Sequence, residues 1–344
     1  MKDGMTLDIE QQTQRSARKV AFVFLGILVA AVSLVVAWLV PEAMRIRRER
    51  DQREMERRLG SEMVRVPSGS ATMGATDGAP EEQPLHDVRV SDFWMDQTEV
   101  TNAQFTRFVE ATKYVTTAEK SGGSWCFRPD AQSTTERKTW AKRVPGANWR
   151  QPDGAGSEIG GRGKFPAVHI SHDDAMAYCK WANKRLPTEA EWEFAAHSGV
   201  VLSHYPWGME FAPNGRTPAN VWQGAFPQKD EAADGFAGAA PVGSFVPNNY
   251  SLVDLTGNVA EWCADWFSST YYAELRPDPN RAAHRNPRGP ETGNDAAEPG
   301  VWKRVVRGGS WLSDAAQSRV SARGREEPGF SAQWLGFRCV RDAK

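Results

Sequence analysis

Residues 200 to 300 constrain this chain most. They are rich in Gly, Pro, Asn and Asp and are broken by aromatic clusters: YPWG at 205–208, NVWQGAFP at 220–227 and DGF at 234–236. No helical or strand period runs through the segment, so it is expected to be long loop. Loops of this length inside a compact domain need something to hold them, either functional closure or bound ions. The 14 Trp supply one means, because each ring buries ~150–250 Å² and donates one hydrogen bond. Core packing is the ordinary role for any one of them.

The rest of the chain narrows the class. With 344 residues it can bury one large core or two modest ones. The 42 Lys+Arg nearly balance 43 Asp+Glu, which leaves no basic field for nucleic acid, so no nucleic-acid partner is expected. Mean hydropathy of -0.56 excludes a polytopic membrane protein but can hide one span. Val20 to Val40 is that span: 21 residues without a charge, long enough at 1.5 Å per residue to cross a ~30 Å hydrocarbon core. The organisation expected is therefore a tail over 1–19, a transmembrane helix over 20–40, a charged helical stalk over 41–60, and one mixed α+β domain over 61–344. The stalk carries seven Arg among five acids, at spacings that allow i,i+4 pairs. Counted alone, those Arg place the domain in the cytoplasm.

Local signals define elements within the domain. Met63–Met73 and Val88–Met95 alternate with period 2 and read as half-buried strands. Thr101-x-x-Gln104, Ser171-x-x-Asp174 and Thr188-x-x-Glu191 have capping-box spacing and should open three helices. Phe105/Phe108/Val109, Ala175/Cys179/Ala182 and Trp192/Ala195/Ala196 would form their buried faces. His169-x-x-His172-Asp173 holds the inventory of a two-histidine, one-carboxylate iron site, although it spans a strand end and a helix cap. Structural roles are the preferred reading, with Asp173 serving the helix dipole, and iron is the alternative. Cys126 and Cys263 have no metal spacing, and no hydrolase, P-loop or dinucleotide fingerprint occurs.

In order, the chain carries MVRVPSGSATMG, FWMDQTEVTNAQFTRFV, ISHDDAMAYCKWANKRLPTEAEWEFAA, YSLVDLTGNVAEW, RVVRGGSW and LGFRCVRD. This series resembles the formylglycine-generating enzyme (sulfatase-modifying factor) family over residues 62–344. The resemblance implies a compact α+β fold related to C-type lectins, with low regular secondary structure and bound calcium. It implies one calcium at Asn220, the Val221 carbonyl, Asp234 and the Phe236 carbonyl. A second would use Asp254, the Gly257 and Val259 carbonyls, and Glu261. The plain alternative is ordinary Asx turns without metal.

The family's founding enzyme oxidises a sulfatase cysteine to formylglycine with O₂, using Cu(I) between two thiolates. Here Ser313 stands at the first cysteine, and the second has no cysteine counterpart either, whether Ser318 is aligned there or a short deletion precedes Arg319. A hydroxyl is a hard, un-ionised ligand and does not replace a thiolate on Cu(I), so copper and formylglycine generation are expected to be absent. Trp334 replaces a common Asn. The old substrate cleft is expected near Ser310, Trp311, Ser313 and Trp334. Cys179 and Cys339 match a family disulfide, with two reduced core thiols as the alternative. A disulfide and the family's frequent export place the domain in the periplasm or outside the cell, against the Arg count. The functional expectation is a membrane-anchored, calcium-stabilised binding module for a protein, peptide or glycan. A redox enzyme with iron at His169, His172 and Asp173 is the alternative.

Overall fold

The computed structural model describes Met44 and residues 62–129, 136–200, 203–275 and 283–343. The chain divides into two units, residues 1–56 and 57–344, and the fold and site belong to the second. The span expected over Val20–Val40, and the stalk apart from Met44, lie outside the described residues. Among the described residues no helix is long and apolar enough to cross a membrane.

The first alternating segment becomes two strands, β1 (Met63–Val66) and β2 (Gly69–Met73), separated at Pro67, which cannot donate to a ladder. The second likewise becomes β3 (His86–Val90) and β4 (Phe93–Asp96). Strands β5 (Gly123–Phe127) and β6 (Ala141–Pro145) form an antiparallel pair. Next come β7 (Ala260–Trp266), β8 (His284–Arg285), β9 (Arg304–Arg307) and β10 (Gly324–Glu326). The last two are β11 (Leu335–Gly336) and β12 (Val340–Asp342). They make small sheets ordered β1-β4-β12, β10-β9-β7-β11 and β2-β3-β8. The C-terminal strand β12 thus pairs with β4, in the register Val340↔Met95, and closes the domain on itself.

All three expected helices are present, at Asn102–Thr112, His172–Trp181 and Glu189–His197. Each opens with both hydrogen bonds of its capping box. The Gln104, Asp174 and Glu191 N–H groups donate to Thr101 Oγ1 (3.3 Å), Ser171 Oγ (3.2 Å) and Thr188 Oγ1 (3.1 Å). The three N3 side chains accept from the cap N–H groups at 2.8, 3.0 and 2.9 Å. Their apolar faces are buried as expected. Trp192, Ala195 and Ala196 join Val66, Val88, Phe93, Leu255, Val305 and Val340 in the main core.

From 203 to 259 the described backbone has no helix or strand beyond the short turn Pro213–Gly215. Aromatic rings anchor it. Tyr205 and Trp207 stack at 5.3 Å, the Tyr205 hydroxyl donates to the Ala315 carbonyl at 3.0 Å, and Trp222 meets Phe226 edge-on at 5.1 Å.

Candidate binding cleft and cation loops

Strand β9 ends at Arg307 and delivers the chain into Gly308-Gly309, both at positive φ (89° and 65°). A Cβ on Gly309 would lie 2.9 Å from Ser313 Oγ and 3.0 Å from the Gln317 carbonyl, so only glycine allows the turn to close. The closed turn orders the serines. The Ser310 N–H donates to Ser313 Oγ at 2.9 Å, and Ser310 Oγ accepts from the Leu312 N–H at 3.2 Å. The Ser313 carbonyl accepts from the Trp222 N–H, tying the turn to the aromatic loop. Ser318 Oγ is buried without a partner.

This turn forms one wall of a cavity of about 620 Å³, also lined by Trp140, Trp222, Phe226, Trp334, Glu82 and Arg319. Ser310, Ser313 and Trp334 line it. Trp311 does not line the cavity: its ring packs edge-on against Phe127 at 5.5 Å. The aromatic wall is continuous, with Trp140 5.1 Å from Trp334 and 5.6 Å from Phe226. Opposite charges meet at Arg319, whose Nη1 and Nη2 donate to the two oxygens of Glu82 at 2.8 and 3.0 Å. Sequence reasoning missed Trp140, Trp222, Phe226 and this ion pair as cleft residues. Trp222 and Phe226 were visible as loop anchors, but Trp140 was not, and nothing local shows that Glu82, 237 positions away, faces Arg319.

The donors in the cleft do not suit Cu(I). Ser313 presents a hydroxyl already engaged by an N–H, and none of the four cysteines lines the cavity. Cys126 donates to the Pro152 carbonyl at 3.6 Å, and Cys263 is buried in the core. The Cys179 and Cys339 sulfurs meet at 3.1 Å in the interior. The two residues named for the disulfide are thus brought face to face, the 172–181 helix against the C-terminal strand.

The two expected calcium loops lie side by side. The Asn258 N–H donates to the Asn220 carbonyl at 2.8 Å, and Asn220 Nδ2 donates to Asn258 Oδ1 at 3.1 Å. Gly257, at φ 78°, permits this approach, since a Cβ there would lie 2.1 Å from the Asn220 carbonyl oxygen. The Gly257 N–H donates to the Gly308 carbonyl and the Trp311 N–H to the Asn258 carbonyl, so the loops also brace the Gly-Gly-Ser turn.

At the first loop, Asp234 accepts from the Val221 N–H (3.3 Å) and the Phe236 N–H (3.0 Å), and burial still pushes its carboxyl above the usual range. At the second, Asp254 accepts from the Gly243 N–H at 2.6 Å, and burial again raises its carboxyl. Oxygen donors held in irregular loops, with carboxylates short of positive charge, fit a hard cation such as calcium. Glu261 departs from the expected arrangement. Its carboxylate is engaged by Arg338 Nε and Nη2 and by Trp192 Nε1 at 2.7–2.9 Å. Glu99, which sequence reasoning did not single out, sits beside this group. Burial and the charge of Asp254 push its carboxyl well above the ordinary range.

The iron reading of His169, His172 and Asp173 is corrected by their directions. His169 Nε2 meets the Pro152 carbonyl at 2.9 Å, and the His172 ring packs edge-on against Trp262 at 5.6 Å. Asp173 is exposed on the first turn of its helix. A bend at positive φ, the first residue of a helix and a solvent face point three ways, and among the described residues no group of three His, Cys, Asp or Glu could hold a metal.

A glycine-turned loop braced by two paired acidic loops, beside an aromatic cleft and with little regular structure, defines a class of fold that comparison identifies. The family model for the sulfatase-modifying factor enzyme 1-like domain matches residues 49–343. The chain belongs to this family. It is 45% identical over 294 residues to a formylglycine-generating enzyme of Thermomonospora curvata, covering 81% of this chain and 93% of that one. It is 43% identical over 297 residues to the inactive C-alpha-formylglycine-generating enzyme 2 of Mus musculus, covering 82% and 86%. The solved structure of PvdO from Pseudomonas aeruginosa superposes with a TM-score of 0.59 at 25% identity, over 82% of this chain and 94% of that one.

Proposed function

We propose that this protein is a binding member of the family, which holds a polypeptide segment in the cleft and does not convert cysteine to formylglycine. The observation that carries the reading is Ser313, a hydroxyl in the cavity wall at the position where the chemistry requires a thiolate. Around it the cleft keeps what binding needs. Flat aromatic faces at Trp140, Trp222 and Trp334 take an apolar or prolyl side chain. The Glu82–Arg319 pair offers one acceptor group and one donor group side by side, matching a peptide N–H and C=O.

Calcium would be held by Asn220, Asp234 and the Val221 and Phe236 carbonyls at the first loop, and by Asp254 with the Gly257 and Val259 carbonyls at the second. Its role there is charge compensation that stiffens the loops bracing the turn. Val20–Val40 anchors the chain as a single-pass membrane protein, with the domain on the extracytoplasmic side. The redox alternative draws no support from His169, His172 and Asp173, whose side chains do not converge.

The test is co-expression with a sulfatase-derived cysteine peptide, followed by mass spectrometry and by calorimetric titration of that peptide. The expected result is saturable binding with the cysteine unchanged. Conversion to formylglycine would defeat the reading. Binding of an oligosaccharide probe with no response to the peptide would replace the polypeptide by a glycan.

A further inference from the structure

We infer that the cleft selects a lysyl side chain and that Asp314 is the residue that pairs with its ammonium. The inference rests on the polypeptide reading above and names the chemical class of side chain that the cleft takes.

The charges along the wall carry it. Five charged side chains line the cavity: Glu82, Arg137, Asp314, Arg319 and Arg323. Each arginine is already matched by a carboxylate. Arg319 holds Glu82, Arg323 holds Glu189, and Arg137 forks onto both oxygens of Glu326. Asp314 is in the opposite condition. Among the described residues its carboxylate accepts one hydrogen bond, from the Gln317 N–H at 2.9 Å, and makes no ion pair. It is exposed, and it follows Ser313 directly in the cavity wall. The unneutralised charge of the wall is therefore negative. A ligand carboxylate would have to displace Glu82, Glu189 or Glu326 from its guanidinium, whereas a ligand cation displaces nothing.

The aromatic wall favours the same sign. The face of an indole or phenyl ring is the negative end of its quadrupole and attracts a cation lying over it, tryptophan most of all. Trp140, Trp222, Phe226 and Trp334 line the cavity, and Trp140 and Phe226 are only half-buried, so ring surface is left for a ligand. The wall already holds one such contact: the Arg137 guanidinium lies 4.9 Å from the centre of the Phe330 ring, which packs 6.4 Å from Trp334. A lysyl side chain suits both parts of the site. Its four-carbon stem lies along apolar ring faces, and its compact ammonium reaches a carboxylate. An acidic side chain meets the rings and Asp314 with the wrong sign, and an apolar one leaves Asp314 unmatched.

The test uses the full chain in detergent and three capped peptides, Gly-Pro-X-Pro-Gly with lysine, norleucine or glutamate at X, titrated by tryptophan fluorescence and calorimetry. Wild type should bind the lysine peptide about tenfold more tightly than the norleucine peptide at low salt, with glutamate weakest, and the advantage should shrink as ionic strength rises. Asp314→Asn keeps the acceptor for the Gln317 N–H. It should bring lysine down to the affinity of norleucine and leave norleucine unchanged. Asp314→Lys should invert the order and favour glutamate. A merely structural Asp314 would weaken all three peptides alike in Asp314→Asn, which would overturn the inference. Equal binding of lysine and norleucine by wild type would also overturn it and leave the polypeptide reading standing. A wild type that binds none of the three would overturn both.

Discussion

His169 and His172 lie three residues apart and are both held neutral, by different surroundings. Burial pushes the His169 imidazole down to about 4, against the pull of the Pro152 carbonyl. Burial and then the charge of Arg304 push His172 down to about 3. An unfolded histidine titrates near 6.5, so between that pH and the folded value the unfolded chain binds the proton and the native state does not. Their contribution to stability is complete above about pH 6.5 and is lost as pH falls toward 4 and 3. For one histidine, 1.5 units at about 1.36 kcal/mol each gives about 2 kcal/mol between pH 6.5 and 5. Urea denaturation of His172→Gln against wild type isolates that part: the variant should recover about 2 kcal/mol relative to wild type on going from pH 6.5 to 5. Parallel pH dependences would sink the assignment. Neither histidine's character was legible beforehand, because the motif lists residue types and their directions come from packing.

At the scale of elements, the helices were legible because a capping box is local. Four consecutive residues carry the whole signal, and the three boxes form both of their bonds. Thr188→Ala should lower stability by about 1 kcal/mol, read as a shift of the urea midpoint at unchanged slope. A change within 0.2 kcal/mol would mean that Arg185, which grips Glu191 through two nitrogens, holds the helix start by itself. A fourth box at Thr116 and Glu119 was passed over, since the helix it opens, Thr117–Lys120, is only one turn long and has no apolar face to announce it. The loop character of 203–259 was also legible, from its Gly, Pro and Asn content. Which of its residues would meet was not. The approach of Gly257 to Asn220 joins points 37 apart in a segment without periodicity.

Across the whole molecule, buried ion pairs tie segments distant in the chain. Arg307, fully buried on β9, donates through Nη1 to Glu189 at 2.8 Å and through Nη2 to Glu193, both on the 189–197 helix. Arg323 holds Glu189 from the far side through Nε at 2.7 Å and Nη2 at 2.9 Å. Burial pushes the Glu193 carboxyl up, but Arg307, with His197 and the Gly74 N–H beside it, outweighs burial and brings it down to about 2. Removing one member strands the others. Arg307→Met should cost about 3–5 kcal/mol, seen in the urea midpoint, and adding Glu193→Gln should restore part of it. A loss under 1 kcal/mol would mean that Arg323 alone neutralises the helix. The same pairs set the cleft, because β9 aims the Gly-Gly-Ser turn and the helix it is bolted to carries Trp192 beneath Gly308.

By itself, the sequence determined three helix starts, the extended character of Met63–Met73 and Val88–Met95, the loop-rich segment and the presence of Ser313 in a recognisable block. Each of these is written in a few neighbouring residues or in one substitution within a recognisable block. Only the tertiary structure decided that Glu82 faces Arg319, that Glu261 belongs to Arg338 and Trp192 while Glu99 is set against Asp254, and that His169, His172 and Asp173 part company. The physical reason is range. Capping, turn geometry and strand alternation act over a few residues, whereas the partner of a buried charge is chosen by whatever the folded core brings within about 3 Å of it.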